Sequence, residues 1–312
     1  MASIAIPGSA TRWFRLSTIF VLLTFAGACQ AQQTAQEQAK PQRPLLWKAS
    51  SSTATVYLFG SIHVGDAGLY PLPASVESAF AASKVLVVEI DPKQVDQSKI
   101  TELVGKYGMY GAGDGLSKHM NKETADALAA FCAKNGLPRD RLEQSKPWVV
   151  ALNLVNLSLQ QAGQDPKLGI DKHFLDKSKP PQRIAALETP DFQMSVLSSA
   201  TEEEQQELLA DEIKHFDRAK EFLQKIQDAY LAGDLDAVLK QMHEQATGPK
   251  SLHKRLFDDR NVTMTASLEE YLKGKEPCFV VVGAAHLVGD NGIVKLLQGK
   301  GYRVEQVGAG AP

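Results

Sequence analysis

Two short segments, Gly60-Ser61-Ile62-His63 and Gly283-Ala284-Ala285-His286, set a histidine three residues after a glycine, and each follows an apolar, β-rich run. Each also leads on to Val-Gly, as Val64-Gly65 and as Val288-Gly289. The glycines permit close backbone approach, the small neighbours leave room for an ion or substrate, and imidazole is the commonest side-chain ligand of transition metals. Glu89, in Val87-Val88-Glu89-Ile90-Asp91, offers a third donor, because a carboxylate at the end of an apolar run is expensive to desolvate without a cation. Asp91 falls on the same side of an extended strand. The expectation is a divalent metal ion, zinc, manganese or cobalt, held by His63, Glu89 and His286 through mixed nitrogen and oxygen ligation. Such an ion polarises a carbonyl and lowers the pKa of a bound water from about 16 toward 7, which makes a nucleophile at neutral pH. It also requires two histidines more than two hundred residues apart to meet.

Other candidates carry less. His119, His173, His215, His243 and His253 stand in polar helical or loop settings, where solvated surface is expected. Arg260, taken alone, reads as a surface ion pair with Asp258 or Asp259, and Asn261 as a turn or cap residue. The zinc-protease helix with two histidines bracketing a glutamate is absent, since His243-Glu244 has no histidine three residues on. No Gly-x-Ser-x-Gly elbow, Walker loop or dinucleotide fingerprint occurs, and Gly111-Ala112-Gly113-Asp114-Gly115 reads as a loop or lid.

The histidines need strands to carry them. Thr55 to Phe59, Val85 to Ile90, Arg183 to Leu187, Cys278 to Val282 and Tyr302 to Val307 are short apolar runs, and Leu45 to Lys48 reads as an additional edge strand. Most are continuous rather than alternating, the pattern of strands covered on both faces by helices. Helical patterns fill the stretches between: Pro73 to Ser83, Lys122 to Asn135, Pro147 to Ala162, Asp171 to Ser178, Thr201 to Ala232, Leu235 to Glu244, Leu252 to Leu272 and Asn291 to Lys300. The fold class is α/β, a central mixed sheet flanked by helices, with a helical insertion at about 97–250. Ligands of open α/β sheets bind beyond the strand ends, so the site belongs where the sheet's two halves meet.

With 312 residues, 44% of them apolar, the chain can bury one large core. A net charge of -2 leaves no basic field for nucleic acid. Arg12 and Arg15 precede an apolar run from Leu16 to Ala28, too short for a comfortable membrane span of about 20 residues and typical of a signal peptide. Ala26-Gly27-Ala28-Cys29 suits either cleavage near Ala28 or Ala31, or lipidation of Cys29. Residues 1–28 are therefore assigned to a signal peptide, 29–44 to a Gln- and Ala-rich disordered tether, and 45–310 to the folded domain. Export to the periplasm is expected, with membrane contact only through a lipid anchor at Cys29, and Cys132 and Cys278 are expected as buried free thiols.

Taken in order, Gly-Ser-Ile-His, Val-Val-Glu-Ile-Asp, Leu168-Gly169-Ile170-Asp171, Ala186-Leu187-Glu188-Thr189 with Gln193, Asp259-Arg260-Asn261-Val262-Thr263-Met264 and Gly-Ala-Ala-His resemble the TraB/GumN family from Leu45 to Val307. That family looks related to the Tiki metalloproteases and, more distantly, to erythromycin-esterase (EreA) and ChaN-like folds. The resemblance implies a Tiki-like fold and a metal-dependent site at His63, His286 and Glu89, with catalytic parts for Arg260, Asn261 and Glu188. Glu188 or Glu89 would take the proton of the attacking water, and Arg260 with Asn261 would stabilise the oxyanion. Two functional classes follow: a hydrolase of peptide or other amide or ester bonds in the bacterial envelope, and a non-catalytic protein that sequesters a peptide or glycan in the same cleft. Haem binding, found among ChaN-like relatives, has no axial-ligand motif here.

Overall fold

The computed structural model describes residues 44–244 and 248–308. The leader, Cys29 and the tail up to Arg43 lie outside the described residues. The strands are β1 (Leu46–Ser50), β2 (Thr55–Ser61), β3 (Val85–Ile90), β4 (Arg183–Glu188), β5 (Cys278–Gly283) and β6 (Arg303–Gln306), joined in one sheet in the order β4-β3-β5-β2-β1-β6. The four strands from β4 to β2 are parallel, while β1 is antiparallel to both β2 and β6. The protein is thus a mixed α/β fold.

The Val-rich runs sit where their composition sends them. All six residues of β5 are buried, as are the first four of β3, because helices cover both faces of these central strands. Phe59, Phe174, Phe80 and Phe279 interlock in the core, with ring centroids 4.8–5.9 Å apart. One strand differs from expectation. The Leu45 to Lys48 run is interior, because a turn closed by Ser51 Oγ accepting from the Ala54 amide at 3.0 Å folds β1 back on β2, and β6 then adds on its far side.

The 97–250 segment is not a single helical insertion. β4 lies within it and pairs with β3, and Ile170, Phe174, Tyr230 and Val238 pack into the sheet's own core. A second apolar cluster, built from Leu116, Leu128, Phe131, Trp148, Leu154, Leu209 and Phe216, is what the rest of that segment encloses. The helix expected over Thr201 to Ala232 breaks at a 3-10 turn, Phe216–Arg218, where Phe216 turns into this second core. Likewise, Leu252 to Leu272 is interrupted by a π-helical turn, Arg255–Asp259, directly before the helix Arg260–Lys273. Cys132 and Cys278 are buried and free, and among the described residues no helix is long and apolar enough to cross a membrane.

Candidate functional site

β3, β5 and β2 lie side by side, and Ser61 pairs with Gly283, so these strands end together. His63 stands two residues beyond β2, and His286 sits in the one-turn helix Ala284–Leu287 that leaves β5. Glu89 is the last residue but one of β3. The three side chains meet: Glu89 Oε1 lies 3.8 Å from His63 Nε2 and 4.0 Å from His286 Nε2. Gly283 floors the gap between them, and a Cβ there would sit 3.2 Å from His63 Nε2 and 3.4 Å from Glu89 Oε1. Asp91 has a different task, accepting from the Lys93 amide at 2.9 Å as the cap of the turn after β3.

Each imidazole is held from behind. Asn261 Nδ2 donates to the Asn291 carbonyl at 2.9 Å, which turns Asn261 Oδ1 toward His286 Nδ1 at 2.6 Å. His286 must therefore carry its proton on Nδ1 and present the Nε2 lone pair to Glu89. His63 Nδ1 lies 2.8 Å from Asp171 Oδ2, while Ser61 Oγ donates to Asp171 Oδ1 at 3.0 Å. Gly169 makes that pairing possible, since a Cβ there would fall 2.2 Å from the His63 carbonyl, and the Ile170 amide donates to Ile62 O at 3.0 Å. A ring nitrogen fixed by a carboxylate or carbonyl with the other left free is the usual posture of a metal-binding histidine.

The two rings titrate in opposite directions. Burial is the main force on His286, which is only 4% exposed, and with Arg260 and His63 it outweighs the pull of Glu89 and lowers the ring to about 4. Burial also opposes protonation of His63, yet the hydrogen bond to Asp171 and the charges of Asp171 and Glu89 prevail and push it up to about 9, although 60% of its side chain meets solvent. Burial alone would raise the Glu89 carboxyl; the two imidazoles, the Gly283 amide at 2.8 Å and Arg260 hold it below the usual carboxylate range.

Arg260 closes the far side. Its Nη2 donates to Glu89 Oε2 at 2.9 Å and to Glu188 Oε2 at 2.6 Å, its Nε to Glu188 Oε1 at 2.9 Å, and its Nη1 to the Leu256 carbonyl at 3.0 Å. Four of the five guanidinium donors are thereby taken, leaving one Nη1–H. Gln193 Nε2 bridges the two carboxylates, at 2.8 Å from Glu188 and 3.2 Å from Glu89. The site thus gathers all six residues singled out in the sequence, but two are engaged differently from expectation. Asn261 spends its Oδ1 on His286 and one Nδ2–H on the Asn291 carbonyl, so its amide is oriented to position His286. Glu188 is buried and bound by Arg260 and Gln193, which makes it the counter-charge of the guanidinium, and Glu89 is the carboxylate that faces the histidines.

Asp171 and Gln193, which the sequence placed in the family's motifs without a role, and Phe257, whose ring lies 5.3 Å from that of His286, complete the neighbourhood. Asp171 reads as an acidic residue in a first helical turn, and only the three-dimensional meeting with Ser61 and His63 shows its place. Among the five histidines expected at solvated surface, His119 is instead clamped between Glu202 at 2.7 Å and Asp114 at 2.9 Å and stacked on Tyr110. His173 pairs with Glu77 at 3.2 Å and lies against Tyr70.

As placed, the described residues contain no group of three or more His, Cys, Asp or Glu side chains arranged to hold a metal ion. Both Glu89 oxygens accept hydrogen bonds, from the Gly283 amide and from Arg260. The chemistry of the donor set nevertheless fits a divalent ion: two imidazole Nε2 atoms and one carboxylate face each other across a glycine. Two grooves of about 600 Å³ lie away from these residues, one beside Phe80, Lys84, Lys179 and Arg183 and one between Glu123 and Glu207.

The profile of the TraB/PrgY/gumN family matches residues 45–306. The chain belongs to that family. It is similar to the uncharacterized protein YbaP of Escherichia coli (strain K12), 24% identical over 246 residues that cover 78% of this chain and 87% of that protein. The YbaP protein of Shigella flexneri matches to the same extent. No solved structure matches.

Proposed function

We propose that this member of the TraB/PrgY/gumN family is a metal-dependent hydrolase of peptide or other amide or ester bonds, with a Tiki-like fold, working in the bacterial envelope after export. The observation that carries the reading is the convergence of two imidazole Nε2 atoms on one carboxylate oxygen, each ring fixed through Nδ1 by Asp171 or Asn261. Export rests on the Arg-flanked apolar leader, with the mature chain either free in the periplasm or lipid-anchored at Cys29.

His63, His286 and Glu89 are the residues that would hold zinc, manganese or cobalt. Such an ion supplies Lewis acidity to a carbonyl and acidifies water. Asp171 and Asn261 keep the rings turned forward, and Glu89, whose Oε1 lies 3.8 and 4.0 Å from the two Nε2 atoms, is the carboxylate that would take the proton of the attacking water. The free Nη1–H of Arg260 is a donor left for an oxyanion, while Glu188 and Gln193 hold the guanidinium and Glu89 in register. A second reading, a protein that binds a peptide or glycan without turnover, is favoured by the engagement of both Glu89 oxygens in hydrogen bonds.

Plasma mass spectrometry of the purified mature chain, paired with turnover of a peptide library, separates the two. One equivalent of divalent ion and chelator-sensitive cleavage are expected, both lost in His63→Ala and His286→Ala. Tight binding that ignores chelator and yields no product would replace the hydrolase by the binding protein.

A further inference from the structure

The sheet has two edges, and they are built differently. β6 is four residues long and carries Arg303 and Glu305, an ion pair at 2.7 Å, in the manner of strands guarded against pairing. β4 ends the sheet next to the site, and its middle reads Ile184-Ala185-Ala186-Leu187, half-buried and without charge or proline. The Arg183 amide donates to Lys84 O at 3.0 Å, so by alternation Arg183, Ala185 and Leu187 turn their backbone groups to β3. Ile184 and Ala186 turn theirs outward, and these find no hydrogen-bond partner among the described residues. The strand then ends on Glu188, bound to Arg260.

Charge marks the other end. Lys84 and Lys179 are exposed and carry no ion pair among the described residues; with Arg183 they line a groove of about 600 Å³ at the start of β4, and Lys179 and Arg183 also line a second of about 560 Å³. Glu276, the acid in that neighbourhood, is taken up by Arg183. Backbone donors and acceptors along the edge, a cationic start and the site at the finish are the features of strand addition, in which main-chain bonds give affinity and flanking groups give register.

We propose that the free edge of β4 is the docking track of the substrate: an extended peptide adds as a further strand antiparallel to β4, with carboxylates at its C-terminal end over Lys84 and Lys179. This rests on the peptide-hydrolase reading and names its substrate class. At a rise of about 3.4 Å per residue, the edge from Arg183 to Glu188 takes up about five residues, and the peptide must then cross the ends of β4 and β3 to reach Glu89, which sets the cleaved bond more than five residues before the acidic end.

The test uses the mature chain and a fluorescein-labelled peptide of alternating valine and threonine that ends in two glutamates, read by anisotropy in chelator so that cleavage is stopped. N-methylation at every second residue should weaken binding roughly tenfold, the effect of a lost and unreplaced hydrogen bond, while methylation at the intervening residues leaves it unchanged. Exchanging the glutamates for lysines should also weaken it. Ala186→Pro should do the same with its unfolding midpoint kept, because an outward N–H on an edge strand is where proline is tolerated. If that variant unfolds, the methylation series alone decides. No binding of the probe, or N-methyl effects without a two-residue period, would overturn the docking track; cleavage without that period spares the hydrolase, and the period without cleavage at any metal sinks the hydrolase and keeps the track.

Discussion

The ends of β2 and β5 carry the same glycine-histidine spacing and lie side by side, yet they hold their histidines in opposite states of charge. His63 leans on a carboxylate, stays open to solvent and keeps a proton up to about 9; His286 leans on an amide, is buried, and stays neutral down to about 4. The motif therefore fixes where a ring sits, and the balance of burial against nearby charge fixes what it carries: Asp171 and Glu89 overcome burial at His63, and burial prevails at His286. Together they give one imidazolium and one lone pair facing a single carboxylate at neutral pH, so uptake of a metal ion must release about one proton from His63.

The largest expected disturbance removes what holds the carboxylate that both rings face. Arg260→Ala leaves Glu188 buried without its partner, which costs about 3–5 kcal/mol, read as a fall in the urea midpoint, and frees Glu89. Arg260→Lys should recover only part of it, since one ammonium cannot reproduce the fork between two carboxylates. An unchanged midpoint in Arg260→Ala would mean that Glu188 is not charged as described.

Next in size is an exchange of the groups behind the rings. Asp171→Asn should bring His63 down toward the ordinary histidine range, and Asn261→Asp should raise His286, each followed by ring resonances in an NMR titration. Asp171→Asn, which takes the carboxylate from behind His63, should also lower metal affinity by about 10- to 100-fold, the usual effect of losing such a partner. Rings that titrate as before would show that burial, rather than the partner, sets the difference.

Stability should carry the same signature with opposite signs. The His63 value is raised in the folded chain from 6.5 to about 9, so its contribution is full below pH 6.5 and disappears as pH climbs through 9. The His286 value is lowered from 6.5 to about 4, so its contribution is present above pH 6.5 and is lost as pH falls through 4. Urea midpoints against pH, in chelator, should lose the alkaline slope in His63→Asn and the acid slope in His286→Asn. The smallest effect is expected far from the site: His119, raised above 6.5 chiefly by its hydrogen bond to Asp114, stabilises its part of the fold below pH 6.5 and less as pH rises. His119→Gln should flatten that slope without changing metal uptake.

Much of this was legible in the chain. The Val-rich runs announced buried central strands, and the two Gly-x-x-His segments and Glu89 marked the strand ends that converge. What escaped depends on partners that sequence order does not bring together. A residue that ends up across a loop, as Asp171 does from His63, leaves no periodic trace, and Asn261 reads as a cap until its amide is seen divided between His286 and Asn291. Nor can an apolar run such as Leu45 to Lys48 declare that β6, from the far end of the chain, will cover its outer side.

The π-helical turn Arg255–Asp259 bears on how this protein tolerates insertion and deletion. A π turn holds one residue more than the α-helical path needs, so deleting a single residue there would restore an ordinary helix while the helical segments on either side keep their facing. Met264, Leu268 and Leu272 are fully buried downstream and pin the C-terminal side to the sheet. The change then falls within the turn itself, on Phe257, against His286, and on Leu256, whose carbonyl holds Arg260. One lost codon in this turn would leave the sheet intact and unseat two contacts of the site at once.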